Sequence, residues 1–192
     1  MPQLKVKPKM AFDIPAVASD AFRAAMRQLS GGVSIIAAGQ GSDRTGMTVT
    51  SLASLSLGPP TLIVSVSRQS SIRPLLDRYR AFGASILRAG QSSVAERFAG
   101  YGGVKGNSRF IGEKWIALET GAPLLVDALG LFDCEVEDII DRHTHSIVIG
   151  QVRAVRAAAA GGSALVHWQG QYSGTDADES AIIQDWEEAP TA

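Results

Sequence analysis

The sequence predicts a mostly β fold, an antiparallel barrel with peripheral helices. About seven apolar segments of strand length lie between residues 32 and 173, and about three short helical segments accompany them. Strands and helices do not alternate regularly along the chain, which argues against a doubly wound parallel sheet. Adjacent prolines and glycine-rich turns separate the segments, a pattern typical of all-β folds.

The length of 192 residues suits one domain. Lysine plus arginine total 18 and the acidic residues total 19. This balance gives no general attraction for nucleic acid or an anionic membrane, so neither is an expected partner. No apolar run approaches the roughly 20 residues that span a bilayer. We expect no signal peptide in the basic N-terminus, because it lacks a long apolar core.

Cys134 is the single cysteine. It excludes an intrachain disulfide and a structural cysteine cluster for zinc, and it favours a cytoplasmic location. Residues 1–18 hold three prolines and predict an arm, 19–173 predict the folded domain, and 174–192 predict an exposed acidic tail.

The first predicted helix begins at Ser19 or Asp20 and ends near Leu29. Ser and Asp are favoured caps, an apolar stripe follows at helical spacing, and Ser30-Gly31-Gly32 ends it. Strand 32–39 and turn 40–46 come next. Residues 46–58 predict a second strand that Pro59 and Pro60 stop, since neither proline can donate to a ladder.

The remaining elements follow from apolar runs and breakers. Residues 61–67 predict a strand buried on both faces, and the helix at 91–100 ends at Gly100. The other predicted elements are helix 70–80, strand 81–87, glycine-rich loop 100–112, and strands 131–142, 145–156 and 163–173.

Short hydroxyls alternate with apolar residues along the strand predicted at 46–58. Thr48 and Thr50 share one face with Ser54 and Ser56, whereas Met47 shares the other with small and apolar residues. One interpretation is a half-exposed strand with a polar outer face. The other is a polar surface for a flat, polar ligand. Both stay open.

Ser67-Arg68-Gln69-Ser70-Ser71 precedes the predicted helix at 70–80. Free N–H groups at a helix N-terminus attract phosphate, so this segment is a candidate phosphate seat. A simple helix cap is an equally good interpretation.

Several catalytic motifs do not occur in the sequence. There is no Gly-x-Gly-x-x-Gly, no Walker-type phosphate loop and no Gly-x-Ser-x-Gly. His143 and His145 would share a strand face, but a metal needs a third ligand, and only His167 or scattered acids are available. We therefore expect no metal site.

The order and spacing of several blocks resemble a known family. These blocks are FRAAMRQLSGGVSIIAA, GMTVTSLASLSLGPPTLIVSV, SSIRPLLDRYRAFGASIL, QSSVAERFAG, the Arg109-Phe110 pair, LFDCEVEDIIDRHTHSIVIGQV and LVHWQGQYS. Over roughly residues 20–173 the chain is similar to the flavin reductase-like proteins with an FMN-binding split barrel. Those proteins are the small reductase components of two-component flavin-dependent monooxygenases.

The resemblance implies a split antiparallel barrel, a homodimer, and a flavin in a groove between the two subunits. It places the flavin ring and ribityl chain near Met47, Thr48, Val49, Thr50, Ser51, Ser56 and Leu57. It places the phosphate at Ser67, Ser70 and Ser71, with Phe98 near the flavin. His145 and Tyr172 would border the nicotinamide pocket. Ordinary core packing remains an alternative for Phe98 and Tyr172. The chain departs from the family at His143-Thr144, where Gly-Asp is usual before the histidine.

The implied activity is that of an NAD(P)H:flavin oxidoreductase, which supplies reduced FMN or FAD to a partner monooxygenase. The cofactors would carry the hydride chemistry, and the protein would position them. Two alternatives are a pyridoxamine-phosphate-oxidase-like FMN oxidoreductase and a non-catalytic flavin-binding or electron-carrier module. The sequence does not choose FMN over FAD, or NADH over NADPH.

Overall fold

A computed structural model describes residues 16–158 and 162–175 of the chain. The predicted arm and acidic tail lie almost wholly outside the described residues. Within them, three α-helices and twelve strands are present. The helices are α1 (Ser19–Met26), α2 (Arg73–Tyr79) and α3 (Ser92–Ala99). The strands are β1 (Gly31–Gly32), β2 (Ser34–Gln40), β3 (Asp43–Val49), β4 (Ala53–Leu57), β5 (Pro60–Ser67), β6 (Ala81–Ile86), β7 (Trp115–Ile116), β8 (Leu124–Leu125), β9 (Gly130–Arg142), β10 (His145–Ala157), β11 (Leu165–Trp168) and β12 (Gln171–Gly174).

The main sheet has seven strands in the order β3-β2-β6-β9-β10-β5-β4. Each neighbouring pair is antiparallel. The two edge strands, β3 and β4, are consecutive in the chain, and Val49 is four residues before Ala53. Edges of a flat seven-stranded sheet lie about 29 Å apart, whereas four residues reach about 14 Å. The sheet therefore curls into a barrel whose edges approach each other, and the predicted mostly β barrel is confirmed.

β2 is buried on both faces and separates two apolar clusters. Ile36 packs in one cluster, inside the curled sheet, together with Phe82, Val148 and the side chains of α2. Ile35 packs in the other cluster, beneath α3. Adjacent residues of a strand point to opposite faces, so one strand supplies both clusters.

Two predicted strands are each divided in the structure. Residues 46–58 do not form one strand: β3 ends at Val49, the chain bends at 50–52, and β4 begins at Ala53. As a result, Leu57 is 88% exposed instead of lying on a buried face. The predicted strand 163–173 is a hairpin of β11 and β12, with Gly170 at φ +85° in the turn.

The helices are shorter than predicted. α1 ends at Met26 instead of near Leu29 and buries no residue, while α2 begins at Arg73. α3 ends at Gly100, as predicted, and Gly100 has the left-handed conformation (φ +99°) that a glycine cap supplies. None of the helices in the described ranges has the length and hydropathy that a membrane span requires.

Candidate functional site

The barrel is held together at its seam by a side chain. β4 pairs with β5 in antiparallel register, with Ala53 opposite Ile63. Extending this register by two residues places Ser51 opposite Ser65. The Ser51 hydroxyl accepts from the Ser65 N–H and donates to the Ser65 carbonyl, at 3.2 Å each. A hydroxyl therefore takes the place of a backbone partner where the β4–β5 ladder ends.

The same register continues to a second hydroxyl contact. Six residues further on, it sets Thr45 opposite Ser71, and their hydroxyl oxygens are 3.3 Å apart. Between these two contacts, segment 46–50 faces segment 66–70, and no strand pairing joins the two segments. We call this opening the barrel split.

The free edge of β3 lines the barrel split. In the β2–β3 ladder, Gly46 lies opposite Ala37 and Thr48 opposite Ile35. The Gly46 carbonyl accepts from the guanidinium of Arg109, so the backbone groups of Gly46 point away from β2. Backbone polar groups alternate in direction from one residue to the next along a strand. Thr48 is two residues after Gly46, so its N–H and C=O also point away from β2. The split therefore exposes a main-chain edge that can bind a polar ligand.

Side chains of β3 follow the predicted alternation. Met47 and Val49 pack with the cluster inside the barrel. Thr48 lies on the other face, where its hydroxyl donates to the Ala95 carbonyl of α3 at 2.6 Å. This hydroxyl anchors β3 to a helix, so the ligand-binding capacity of Thr48 lies in its backbone.

The three serines of the predicted phosphate seat lie at one end of the split. The Ser70 hydroxyl donates to the Ser67 carbonyl at 2.6 Å, and the Ser67 hydroxyl accepts from the Gln69 N–H. The expected helix terminus is not available beside them. α2 begins only at Arg73, and the N–H groups of Arg73 and Leu75 already donate to carbonyls of the preceding turn. The Ser70 hydroxyl proton is also engaged, so the hydroxyls of Ser67 and Ser71 are the serine donors that remain for a ligand.

Charged side chains surround this serine turn. The carboxylate of Asp141 lies 3.6 Å from Arg68 and 3.5 Å from Arg73. The Ser146 hydroxyl donates to Asp141 at 2.6 Å and lowers the pKa of that carboxyl, and both arginines act in the same direction. The hydrogen bond with Asp77 raises the pKa of Arg73. The turn therefore rests on a charged network of both signs.

His145 lies beside the serine turn. It is the first residue of β10 and pairs with Ser67 of β5. Its ring is exposed, and its Nδ1 lies 2.9 Å from the Thr144 hydroxyl. His143 sits in the preceding turn with φ +49°, the conformation that a glycine adopts without strain. Because His143 is not in a strand, the two histidines do not share a strand face. No group of three or more potential metal-ligating side chains occurs within 16–158 and 162–175.

Tyr172 lies on β12 and packs against the apolar cluster beneath α3. It is opposite His167 in β11–β12, with the two rings 5.3 Å apart, and His167 is opposite Gly31. A Cβ placed on Gly31 would lie 3.0 Å from the Cβ of Thr50. Burial raises the pKa of Tyr172, with smaller contributions from Tyr101 and Glu96. Strand β11 therefore separates Tyr172 from Gly31, the residue beside Thr50, and a place for Tyr172 at the nicotinamide pocket stays a prediction.

Phe98 is a core residue in this structure. Its side chain is 1% exposed and packs edge-to-face on Phe110 and at a tilt on Trp115, whose ring centroids are 5.2 and 5.4 Å away. A Cβ on Gly46 would lie 2.8 Å from the Phe98 ring. Phe98 therefore supports β3 from beneath, and direct contact with a cofactor stays a prediction.

Ser56 and Leu57 lie away from the split, at the far end of β4. The Ser56 hydroxyl accepts from the Gly58 N–H at 3.2 Å. Both residues line a largely apolar cavity of about 360 Å³, together with Leu52, Phe132 and Val152. The predicted cofactor-binding set is thus divided between two places on one subunit.

Sequence reasoning missed the residues that define the split. Thr45 and Ser65 supply contacts across it, and Arg109 binds the edge of β3 from 63 residues away in the chain. The hydroxyl alternation did not indicate Thr45, because Thr45 lies on the face of Met47 and Val49 and not on that of Thr48. Nothing local to Arg109 indicates its partner, because the contact depends on how the loop after α3 folds back.

Comparisons with known proteins agree on one family. Residues 26–176 match the family model described as "Flavin reductase like domain". An enzyme of Methylorubrum extorquens named FMN reductase (NADH) RutF 2 is 39% identical over 158 residues, which cover 81% of this chain and 88% of that protein.

Two further proteins extend the comparison. The reductase component of 4-hydroxyphenylacetate 3-monooxygenase from Thermus thermophilus is 35% identical and covers 80% of this chain and 94% of its own length. The solved structure of the NADH:FAD oxidoreductase SgcE6 of Streptomyces globisporus, in complex with NAD and FAD fragments, has a TM-score of 0.73 and 26% identity. It covers 82% of this chain and 92% of that one.

Proposed function

Since the chain belongs to the flavin reductase-like family, we propose that its barrel split binds the flavin and that His145 and Tyr172 position the nicotinamide. The protein is an NAD(P)H-dependent flavin oxidoreductase. A flavin bound with NADH or NADPH supplies the hydride-transfer chemistry. We propose FMN as the flavin, because the relative from Methylorubrum extorquens is named for FMN and NADH. We also propose that the protein delivers reduced flavin to a partner monooxygenase, because the relative from Thermus thermophilus is named as the reductase component of a monooxygenase.

The observation that carries this assignment is the position of the split. The segments that face each other across it, 46–50 and 66–70, contain just over half of the residues that the family resemblance assigns to the flavin. On one side, the backbone edge at Thr48 offers a donor and an acceptor without a bulky side chain. On the other side, the serine turn offers hydroxyls, which suit a phosphate. A ligand with a polar ring edge and a phosphate fits both.

The chain's own contribution is positioning. The backbone of Thr48 is fixed because its side chain is anchored to α3. The Ser70 hydroxyl already donates to the Ser67 carbonyl, so the serine turn is preformed before ligand binds. His145, held beside Ser67, would orient the nicotinamide amide, and Tyr172 would border the same nicotinamide pocket.

We further propose that two copies of the chain form a dimer. α1 and the turn that follows it expose three large apolar side chains: Phe22 (61%) and Met26 (45%) in the helix, and Leu29 (67%) after it. A helix of eight residues is unstable by itself and needs a packing partner. A second copy would cover these side chains and the exposed Leu57, and it would bring Ser56 and Leu57 toward the partner's flavin.

We also propose a cytoplasmic location, because a single cysteine fits a reducing compartment.

Steady-state kinetics test the reductase activity. The purified full chain should oxidise NADH or NADPH only when FMN or FAD is added, and we expect FMN to be preferred. Gel filtration should separate the flavin from the protein, because Thr50, Ser51 and Ser71 leave the split exposed. Flavin that stays bound would identify a prosthetic group instead. Absence of flavin binding and of NAD(P)H oxidation would refute the function.

The role of His145 has its own test. His145→Ala should raise KM for NAD(P)H more than KM for flavin, because the ring would border only the nicotinamide. The matched control is His143→Ala, which removes the neighbouring exposed ring that we assign no role. Equal changes in both KM values, or an equal effect of the control, would refute the assignment.

A further inference from the structure

We propose that Arg109 is a positioning residue that holds the edge of β3 in its flavin-binding conformation. The inference rests on the proposed function, because it concerns the split that would bind the flavin. Arg109 touches none of the candidate ligand-binding serines; it acts through Gly46, two residues before Thr48.

The guanidinium of Arg109 joins three elements. Its Nε donates to the Val104 carbonyl at 3.0 Å, in the loop that follows α3. One Nη donates both to the Phe98 carbonyl at 3.2 Å, in the last turn of α3, and to the Gly46 carbonyl on the free edge of β3. Loop, helix and strand edge therefore meet at one side chain.

Arg109 has no carboxylate partner among the ion pairs of the described residues. Partial burial lowers the pKa of Arg109, because water solvates its charge less fully, and the acceptors of its hydrogen bonds are backbone carbonyls. Removing the guanidinium would leave three carbonyls with one fewer donor each. The loop would lose its hydrogen bond to the Gly46 carbonyl, and it would keep only the contacts of Arg44 in β3 with Asn107 and Phe110. Those contacts do not reach the Gly46 carbonyl, and the glycines of the loop at positive φ would not replace the lost bond: Gly100, Gly102, Gly103 and Gly106.

The chemistry of the edge gives the contact its consequence. A free strand edge presents acceptors and donors in turn. With the Gly46 carbonyl occupied by Arg109, the next groups that face the split are those of Thr48. The edge is then fixed in place, and an acceptor that would compete for ligand donors is already satisfied.

Arg97 offers a matched control. It also donates to loop carbonyls, including that of Ile111, and it pairs with Glu113 at 3.3 Å. It makes no hydrogen bond to β3. Loss of Arg97 should therefore loosen the loop without releasing the edge at Gly46.

The test compares the full chain with Arg109→Gln, Arg109→Lys and Arg97→Gln. Kd for FMN is measured by fluorescence quenching, together with the absorption change of bound FMN, steady-state KM and kcat, and Tm. We expect Arg109→Gln to raise Kd and the flavin KM about tenfold, the factor that ~1.4 kcal/mol represents. Its kcat at saturating flavin should stay within about threefold, because the residue touches no reacting atom. Arg109→Lys should give an intermediate Kd, since an ammonium replaces only part of the fork. Arg97→Gln should lower Tm with Kd unchanged.

Three results would overturn the inference. They are a wild-type Kd in folded Arg109→Gln, an equal loss of affinity in Arg97→Gln, and, if Arg109→Gln does not fold, a wild-type Kd in Arg109→Lys. A wild-type protein that itself fails to bind FMN would refute the proposed function, so the two failures are distinguishable.

Discussion

Replacing Ser51 with alanine removes the hydroxyl that bridges the seam of the barrel. That hydroxyl makes two hydrogen bonds to the Ser65 backbone, each 3.2 Å long and exposed to solvent. A net hydrogen bond contributes about 0.5–1.5 kcal/mol, and long, exposed ones lie at the low end. We therefore expect Ser51→Ala to lower the free energy of unfolding by about 1 kcal/mol, which corresponds to about 2–4 °C in Tm for a chain of this size.

Amide hydrogen exchange gives the sharpest readout. The Ser65 N–H loses its protein acceptor in Ser51→Ala, so it should exchange faster, while the amides of β5 that pair with β10 stay protected. Flavin affinity should also fall, because the split would be less well ordered. Ser54→Ala is the control: the Ser54 side chain is exposed and makes no hydrogen bond within the described part of the chain. Unchanged exchange at Ser65, or an equal loss of Tm in Ser54→Ala, would refute the seam as described.

Two further predictions concern the core. Gly150→Ala should lower stability by about 1–3 kcal/mol in denaturant unfolding, because its Cβ would lie 2.4 Å from the ring of fully buried Phe82. Gly32→Ala, whose Cβ meets nothing within 4 Å, should be near neutral, and equal losses would contradict this packing. Burial raises the pKa of Cys134 to about 12, so a thiol reagent at pH 8 should label the native protein negligibly and the denatured protein at one site. The thiol has a pKa near 9 in the unfolded chain and about 12 in the native protein, so its ionisation lowers the free energy of unfolding as pH rises from 9 towards 12. Rapid labelling of the native protein would contradict the burial of Cys134.

Local patterns predicted much of the fold. The alternation at Met47, Thr48 and Val49 places the first and third in the barrel core and the second on the opposite face, as the strand period requires. Gly100 ends α3 where the sequence predicted. These signals worked because strand period and helix caps depend on residues only a few positions apart.

Predictions failed where distant parts of the chain decide the outcome. The bend at 50–52 divides one apparent strand because β3 and β4 pair at opposite edges of the sheet, and the chain crosses the seam between those edges there. The same closure leaves Leu57 exposed, although its position in the alternation suggested burial. Phe98 matched a block of the family, but its depth beneath Gly46 is a property of packing and not of spacing.

The sequence by itself determined the class of fold, the family, and the residue types available to a flavin, because strand period, turn residues and ordered blocks are written along the chain. Only the tertiary structure decided that 46–50 faces 66–70, that Ser51 bridges to Ser65, and that Arg109 binds the edge at Gly46. Those contacts join residues 14 to 63 positions apart. These contacts form because the curled sheet brings its two edges together. The local sequence does not indicate where the two edges stay unpaired.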